Sequence, residues 1–264
     1  MAAWILVLAA AVVGSDERPP FLVFGGDPAR GVLVNLSHQA RPGDPPVAER
    51  PTVVFIHGFN PLPGALHFTM SEQVAGALVR RVGPEFNVFG WNWNAATFVS
   101  LDPRANGDSA VAQGRALAVA LLQSGASPAR THLIGHSSGS IVAAAAARTL
   151  AFEYGRPLAH LTLLEPAAGY HSLVFERLAA GSSARRVENY WSPGASGYGR
   201  PVAATGVVNI RVDGPRTYLG VVSPRRSGHM NIVRWYIATI DDPRHWAGFN
   251  QSLLLNRLAQ SWDD

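Results

Sequence analysis

The sequence contains no cysteine. That excludes disulfides, thiol nucleophiles and cysteine-ligated zinc, and it leaves the cellular compartment open. Lysine is also absent, so all 22 basic residues are arginine. The arginines fall in scattered pairs, Arg80-Arg81, Arg185-Arg186 and Arg225-Arg226, and not along one face with interleaved aromatics. Despite a net charge of +4, no nucleic-acid partner is therefore expected. No apolar run is long enough to span a bilayer. The nearest is residues 4–13, which has the length of a signal-peptide hydrophobic region. Val12 and Gly14 are small enough for cleavage after Gly14, although no Arg or Lys precedes the run. Residues 1–14 accordingly read as a signal peptide of a secreted or periplasmic protein with no stable membrane span. The absence of a following cysteine excludes a lipoprotein anchor.

No internal repeat, low-complexity tract or interior linker interrupts residues 15–264, which read as a single domain. With 264 residues and 47% hydrophobic side chains, the chain can bury the core of one α/β unit. Residues 21–24 and 32–35 read as neighbouring strands joined by Gly25-Gly26-Asp27-Pro28, and residues 41–51 as a proline-rich surface loop. Residues 52–56 form a continuous β-branched and aromatic run, the pattern of a buried parallel strand. A helix follows at 65–81, a strand at 87–91, a helix at 108–123, a strand at 132–134 and a helix at 141–150. Trp91 and Trp93 alternate at the end of the second of these strands, as core residues or as pocket lining. After a strand at 161–164 the chain passes through residues 186–191 and a polar glycine-rich loop to a strand at 207–212, then a helix at 232–240. This alternation predicts a mostly parallel, doubly wound sheet with helices on both faces and a site at the carboxyl ends of the strands.

The stretch that organises this pattern is Gly135-His136-Ser137-Ser138-Gly139. A strand before it and a helix after it are the setting in which G-x-S-x-G forms a nucleophile elbow. The turn is tight, so its flanks must be small, as Gly135 and Gly139 are; Ser140 and Ala143 let the helix approach the sheet. Ser137 Oγ is then expected at a helix N-terminus, where backbone N–H groups and the helix dipole favour developing negative charge. An inert serine in a structural strand–helix turn fits the same pattern.

Three further stretches supply companions. His57-Gly58-Phe59 ends the 52–56 strand and suits an oxyanion loop, with the Phe59 N–H as one donor and the N–H of Ser138 as the other. Glu165 ends the strand after the elbow, where a carboxylate can orient a histidine and stabilise its imidazolium; Asp213, after the 207–212 strand, is the alternative acid. His229 is expected in a loop just before the last helices. The order serine, acid, histidine is that of α/β hydrolases.

Four of these stretches together resemble the pancreatic-lipase-like branch of the α/β-hydrolase superfamily, the lipases and phospholipases of the A1 type. They are Ile56-His57-Gly58-Phe59, His132 through Gly139, Leu164-Glu165-Pro166-Ala167, and Ser227-Gly228-His229 with its following helix. The resemblance implies an α/β-hydrolase fold and a serine esterase acting on an ester or lipid through an acyl-enzyme, with Ser137 as nucleophile, His229 as base and Glu165 as acid. It implies no metal and no organic cofactor, and it favours Glu165 over Asp213. The chain departs from that branch in having Glu at the acid position, no disulfides, no C-terminal lipid-binding sandwich, and only the short stretch 215–227 where the branch carries its lid. Phospholipase A1-like, acyltransferase or peptidase chemistry on the same residues, or a non-catalytic hydrolase-like binding protein, are the alternative readings.

Overall fold

A computed structural model describes residues 31–59, 66–97, 103–168, 173–193, 198–212 and 228–255. The segment 1–14, the strand expected at 21–24, Asp213, and the stretch 215–227 with Arg225 and Arg226 lie outside the described residues.

Seven strands form one sheet: β1 (Val32–Asn35), β2 (Thr52–Ile56), β3 (Asn87–Asn92), β4 (Thr131–His136), β5 (Leu158–Leu164), β6 (Ala184–Trp191) and β7 (Val208–Arg211). Their spatial order is β1-β3-β2-β4-β5-β6-β7, with β1 antiparallel to β3 and every other pairing parallel. The helices are α1 (Leu66–Val82), α2 (Asn94–Thr97), α3 (Pro103–Ser124), α4 (Gly139–Arg148), α5 (Val174–Arg177) and α6 (Gly228–Asp241). This is an α/β-hydrolase fold: a mostly parallel sheet in which the strand order reverses between β2 and β4, and the strand beside that reversal leads into the serine turn.

Strand alternation sorts the core onto two faces. Val54, Ile56, Phe89, Leu133, Leu161 and Leu163 pack with α3 and α4, whereas Val53, Phe55, Val88 and Ile134 pack with α1 and α6. All five residues of β2 are buried, as its unbroken apolar run required. Ala143 through Ala147 of α4 are buried too, so α4 lies against both the sheet and α3. Truncating a large side chain here, for instance Phe55→Ala, is expected to cost about 3–5 kcal/mol of stability.

Three elements differ from the sequence expectation. Residues 184–191 form β6, for which the sequence pattern named no element. Arg186, Glu188 and Asn189 conceal the strand because Glu188 and Asn189 are buried among partners instead of facing water, and Arg186 is half-buried against Glu188. His229 lies in the first turn of α6, not in a loop before it. Ser227-Gly228 reads as a helix breaker, but the turn is anchored from the sheet: His136 Nε2–H donates to the His229 carbonyl oxygen at 3.0 Å. The last strand is also shorter than the expected 207–212.

Candidate active site

The carboxyl edge of β2, β4, β5 and β6 collects most of the singled-out residues. Ser137 follows β4 directly and has φ +56°, a left-handed conformation unusual for a residue with a Cβ. Neighbours of minimal size make that turn possible. A Cβ on Gly135 would fall 2.5 Å from the Gly139 carbonyl oxygen, and one on Gly139 would fall 2.4 Å from the carbonyl oxygens of Ile56 and His57. Two hydrogen bonds fasten the elbow: Ser140 Oγ to the Gly135 carbonyl at 2.7 Å, and the Ser137 N–H to the Leu164 carbonyl at 3.0 Å. Ser138 caps α4, and its carbonyl accepts the N–H groups of Ile141 and Val142.

The turn after β2 presses on the same serine. A Cβ on Gly58 would sit 2.7 Å from Ser137 Cβ and 3.3 Å from Ser137 Oγ, so only bare backbone fits there. Phe59 comes next in that turn. His57 is fully buried and braces it: its Nδ1–H donates to the Gly58 carbonyl at 2.9 Å, and its Nε2 accepts the Trp93 N–H at 3.4 Å. Trp93 Nε1–H donates to the His57 carbonyl at 2.9 Å, and the two rings stack with centroids 5.8 Å apart. Both tryptophans are buried; Trp93 shapes the turn and Trp91 fills the core.

Glu165 ends β5 in a second left-handed conformation, φ +43°, and its side chain is inaccessible to solvent. Its N–H donates to the Tyr190 carbonyl at 2.9 Å, and its Oε1 accepts the Ser192 N–H at 2.8 Å. Its Oε2 lies 3.5 Å from His229 Nδ1, a contact longer than the about 2.9 Å of a well-formed N–H···O bond. With Nδ1 turned to the carboxylate, His229 keeps Nε2 for other work. Thus His229 and Glu165, 64 residues apart in sequence, meet beside the serine turn. The rival acid Asp213 lies outside the described residues.

Two partners of His229 carry no signal in the sequence. The His136 ring lies 4.6 Å from the His229 ring, besides its bond to the His229 carbonyl. Tyr198, from the glycine-rich loop between β6 and β7, stacks on His229 with centroids 3.8 Å apart and planes 28° apart. His136 sits inside the elbow motif but is read there only as the variable position. Tyr198 is distant in sequence from every motif, so nothing short of the fold connects it to the site.

Among the described residues, no group of three or more His, Asp or Glu is arranged to hold a metal ion, and no helix is long and apolar enough to cross a membrane. No family model matches the chain, and no curated protein does. Among solved structures, it is similar to an esterase from Pyrobaculum calidifontis at 14% identity, covering 83% of this chain and 87% of that one with a TM-score of 0.43. An esterase from Mycobacterium marinum is similar at 16% identity over 81% of each chain, with a TM-score of 0.42. A thermostable carboxylesterase from a metagenomic library is similar at 13% identity over 74% and 79%, also with a TM-score of 0.42. The fold assignment itself rests on the chain's own strand order and serine turn.

Proposed function

We propose that the chain is a serine hydrolase of carboxylic esters that works through an acyl-enzyme. The observation that carries this reading is the meeting of His229 and Glu165 at 3.5 Å beside a serine held at φ +56°. A strained backbone at a serine, a buried carboxylate and a histidine with one nitrogen engaged are the parts of nucleophilic acyl transfer.

In the proposed reaction Ser137 Oγ attacks the ester carbonyl and passes its proton to His229 Nε2. Glu165 holds the Nδ1–H tautomer and stabilises the imidazolium. The N–H groups of Phe59 and Ser138 receive the oxyanion, each worth about 3 kcal/mol of barrier. His229 returns the proton to the departing alkoxide, leaving Ser137 acylated. Water, deprotonated by His229, then attacks the acyl-enzyme; the acid is released and the serine is regenerated. Ester and water are the only reactants, and Ser137, His229 and Glu165 end in their starting states.

The test is labelling with a fluorophosphonate, which reacts only with an activated serine, followed by mapping of the modified peptide. Stoichiometric modification at Ser137, lost in Ser137→Ala without a change in melting temperature, is the expected result. A folded wild-type protein that resists the probe would make the chain a binding protein on a hydrolase scaffold. A series of p-nitrophenyl esters with a phospholipid for comparison then measures acyl preference. We extend the proposal to export with removal of residues 1–14, which the N-terminal mass of the mature protein tests.

A further inference from the structure

Resting on the reading of His229 as the general base, we propose that Tyr198 is a positioning residue for it, holding the imidazole ring and favouring its protonated form. The Glu165 contact at 3.5 Å is too long to fix the ring by itself, since hydrogen bonds at that distance constrain angle weakly. The Tyr198 ring lies 3.8 Å from the His229 ring, nearer than the His136 ring at 4.6 Å. The His229 side chain is only 17% exposed, so the tyrosine lies against a ring already mostly shielded from water.

Stacking supplies what the long contact lacks. Rotation of the imidazole about its side-chain bonds would drive it out of parallel with the Tyr198 plane. The negative face of an aromatic ring also attracts a cation, so Tyr198 favours the imidazolium that forms as the serine loses its proton. Among the described residues, Glu165 from the end of β5, His136 from the end of β4 and Tyr198 from the loop between β6 and β7 face His229. The Glu165 carboxylate and the tyrosine face favour the imidazolium, whereas a charged His136 would oppose it. His136 directs its Nε2–H at the His229 carbonyl, a bond the neutral ring can make.

The test compares Tyr198→Leu and Tyr198→Phe with the wild type, each checked for an unchanged melting temperature. Turnover of p-nitrophenyl acetate is measured as kcat and KM, and the acid limb of kcat/KM is followed with pH. The imidazole titration of His229 is read separately by NMR, which needs no activity. Tyr198→Leu is expected to lower kcat about fivefold with KM little changed, and to move both the acid limb and the NMR midpoint down by about half a pH unit. Tyr198→Phe keeps the ring face and should stay within about twofold of wild type.

An unchanged His229 midpoint in Tyr198→Leu overturns the proposal whether or not the protein is an esterase. A rise in KM alone overturns it too, making Tyr198 a wall of the substrate pocket, and equal losses in the two variants would assign the effect to the hydroxyl. Failure of the fluorophosphonate to label Ser137, with the NMR shift present, would instead remove the catalytic reading and leave the ring contact standing.

Discussion

Two histidine–glutamate pairs are built on β5, β6 and α6, and they differ in how fully their partners enclose them. His229 and Glu165 meet at 3.5 Å at the carboxyl edge, with the histidine partly open to solvent. His160 and Glu188 meet at 3.1 Å in mid-sheet, with both side chains inaccessible. The buried pair is saturated with partners. Glu188 Oε2 also accepts the Tyr190 hydroxyl at 3.0 Å, Oε1 accepts Arg186 Nε–H at 2.6 Å, and Tyr190 in turn accepts the Gly248 N–H at 3.0 Å. His160 Nδ1 accepts the Leu253 N–H at 3.4 Å, so the ring is a neutral Nε2–H tautomer. It stacks on His132 at 4.1 Å, and His132 reaches Ser252 at 3.0 Å and Thr162 at 2.8 Å. The difference teaches that residue type does not make an active site. A carboxylate and imidazole with every lone pair and proton satisfied are structure. The same pair at a strand edge beside a left-handed serine is joined by one 3.5 Å contact, the looseness that the proposed proton transfer requires.

The comparison breaks first at its carboxylates. Glu165→Ala is expected to lower kcat by roughly 10⁴ while leaving most of the stability, because the loss is one of histidine tautomer and orientation. A loss below about tenfold would shift the acid to Asp213. Glu188→Ala should do the reverse. It strips the partner from the buried His160 and Tyr190 and from the half-buried Arg186, and should cost about 3–5 kcal/mol in chemical denaturation, with kcat per folded molecule unchanged. Comparable effects of the two substitutions on kcat would erase the distinction between the pairs.

Acid sharpens the contrast further. Burial, then the nearby His160 and Arg186, lowers the pKa of His132 well below its usual 6.5; burial also lowers His160, partly offset by its hydrogen bond to Glu188. Below pH 6.5 the unfolded chain therefore takes up protons on these rings that the folded chain refuses, and stability falls as pH falls. Glu188 acts with the same sign lower down. Burial would raise its pKa, but the bonds and charges of His160 and Arg186 outweigh that and hold it below 4.5, so its contribution is lost as pH drops through the folded value. Melting temperature should thus decline from about pH 6.5 downward. His132→Phe, which keeps a ring between His160 and Phe249, should make that decline shallower. An unchanged slope would show that the buried rings are not the acid-sensitive element. The smallest effect belongs to the exposed pair Arg80–Asp241, which links α1 to α6 at 3.1 Å with side chains 63% and 46% exposed. Arg80→Ala should change stability by about 0.5 kcal/mol or less, and that little only at low salt.

Much of this arrangement was legible in the sequence because it depends on local rules. The apolar run of β2 and the small residues around Ser137 each admit few backbone solutions, and the strand–helix alternation admits few topologies. The place of Glu165 at the end of β5 was legible because it follows the strand after the elbow. β6 was not, because it carries Glu188 and Asn189, whose burial depends on His160 and Asn209 elsewhere in the chain. The first turn of α6 was not, because the bond from His136 that meets its backbone comes from another element, 93 residues away. Tyr198 was invisible for the same reason: its contact is made across more than 30 positions, within a loop whose composition suggests only turns.

The buried network also sets a time at which the molecule can finish folding. His132 of the central sheet receives its hydroxyl partner from Ser252, 120 positions later, and His160 its amide partner from Leu253, 93 positions later. During synthesis, β4 and β5 leave the ribosome long before those residues exist, with imidazoles that must stay hydrated until the closing segment arrives. The sheet can form early, but its α6 face cannot be sealed until residues 252 and 253 have emerged. A nascent chain stalled with residue 247 as its last emerged residue should remain open to protease across β4 and β5, and one stalled with residue 255 emerged should not.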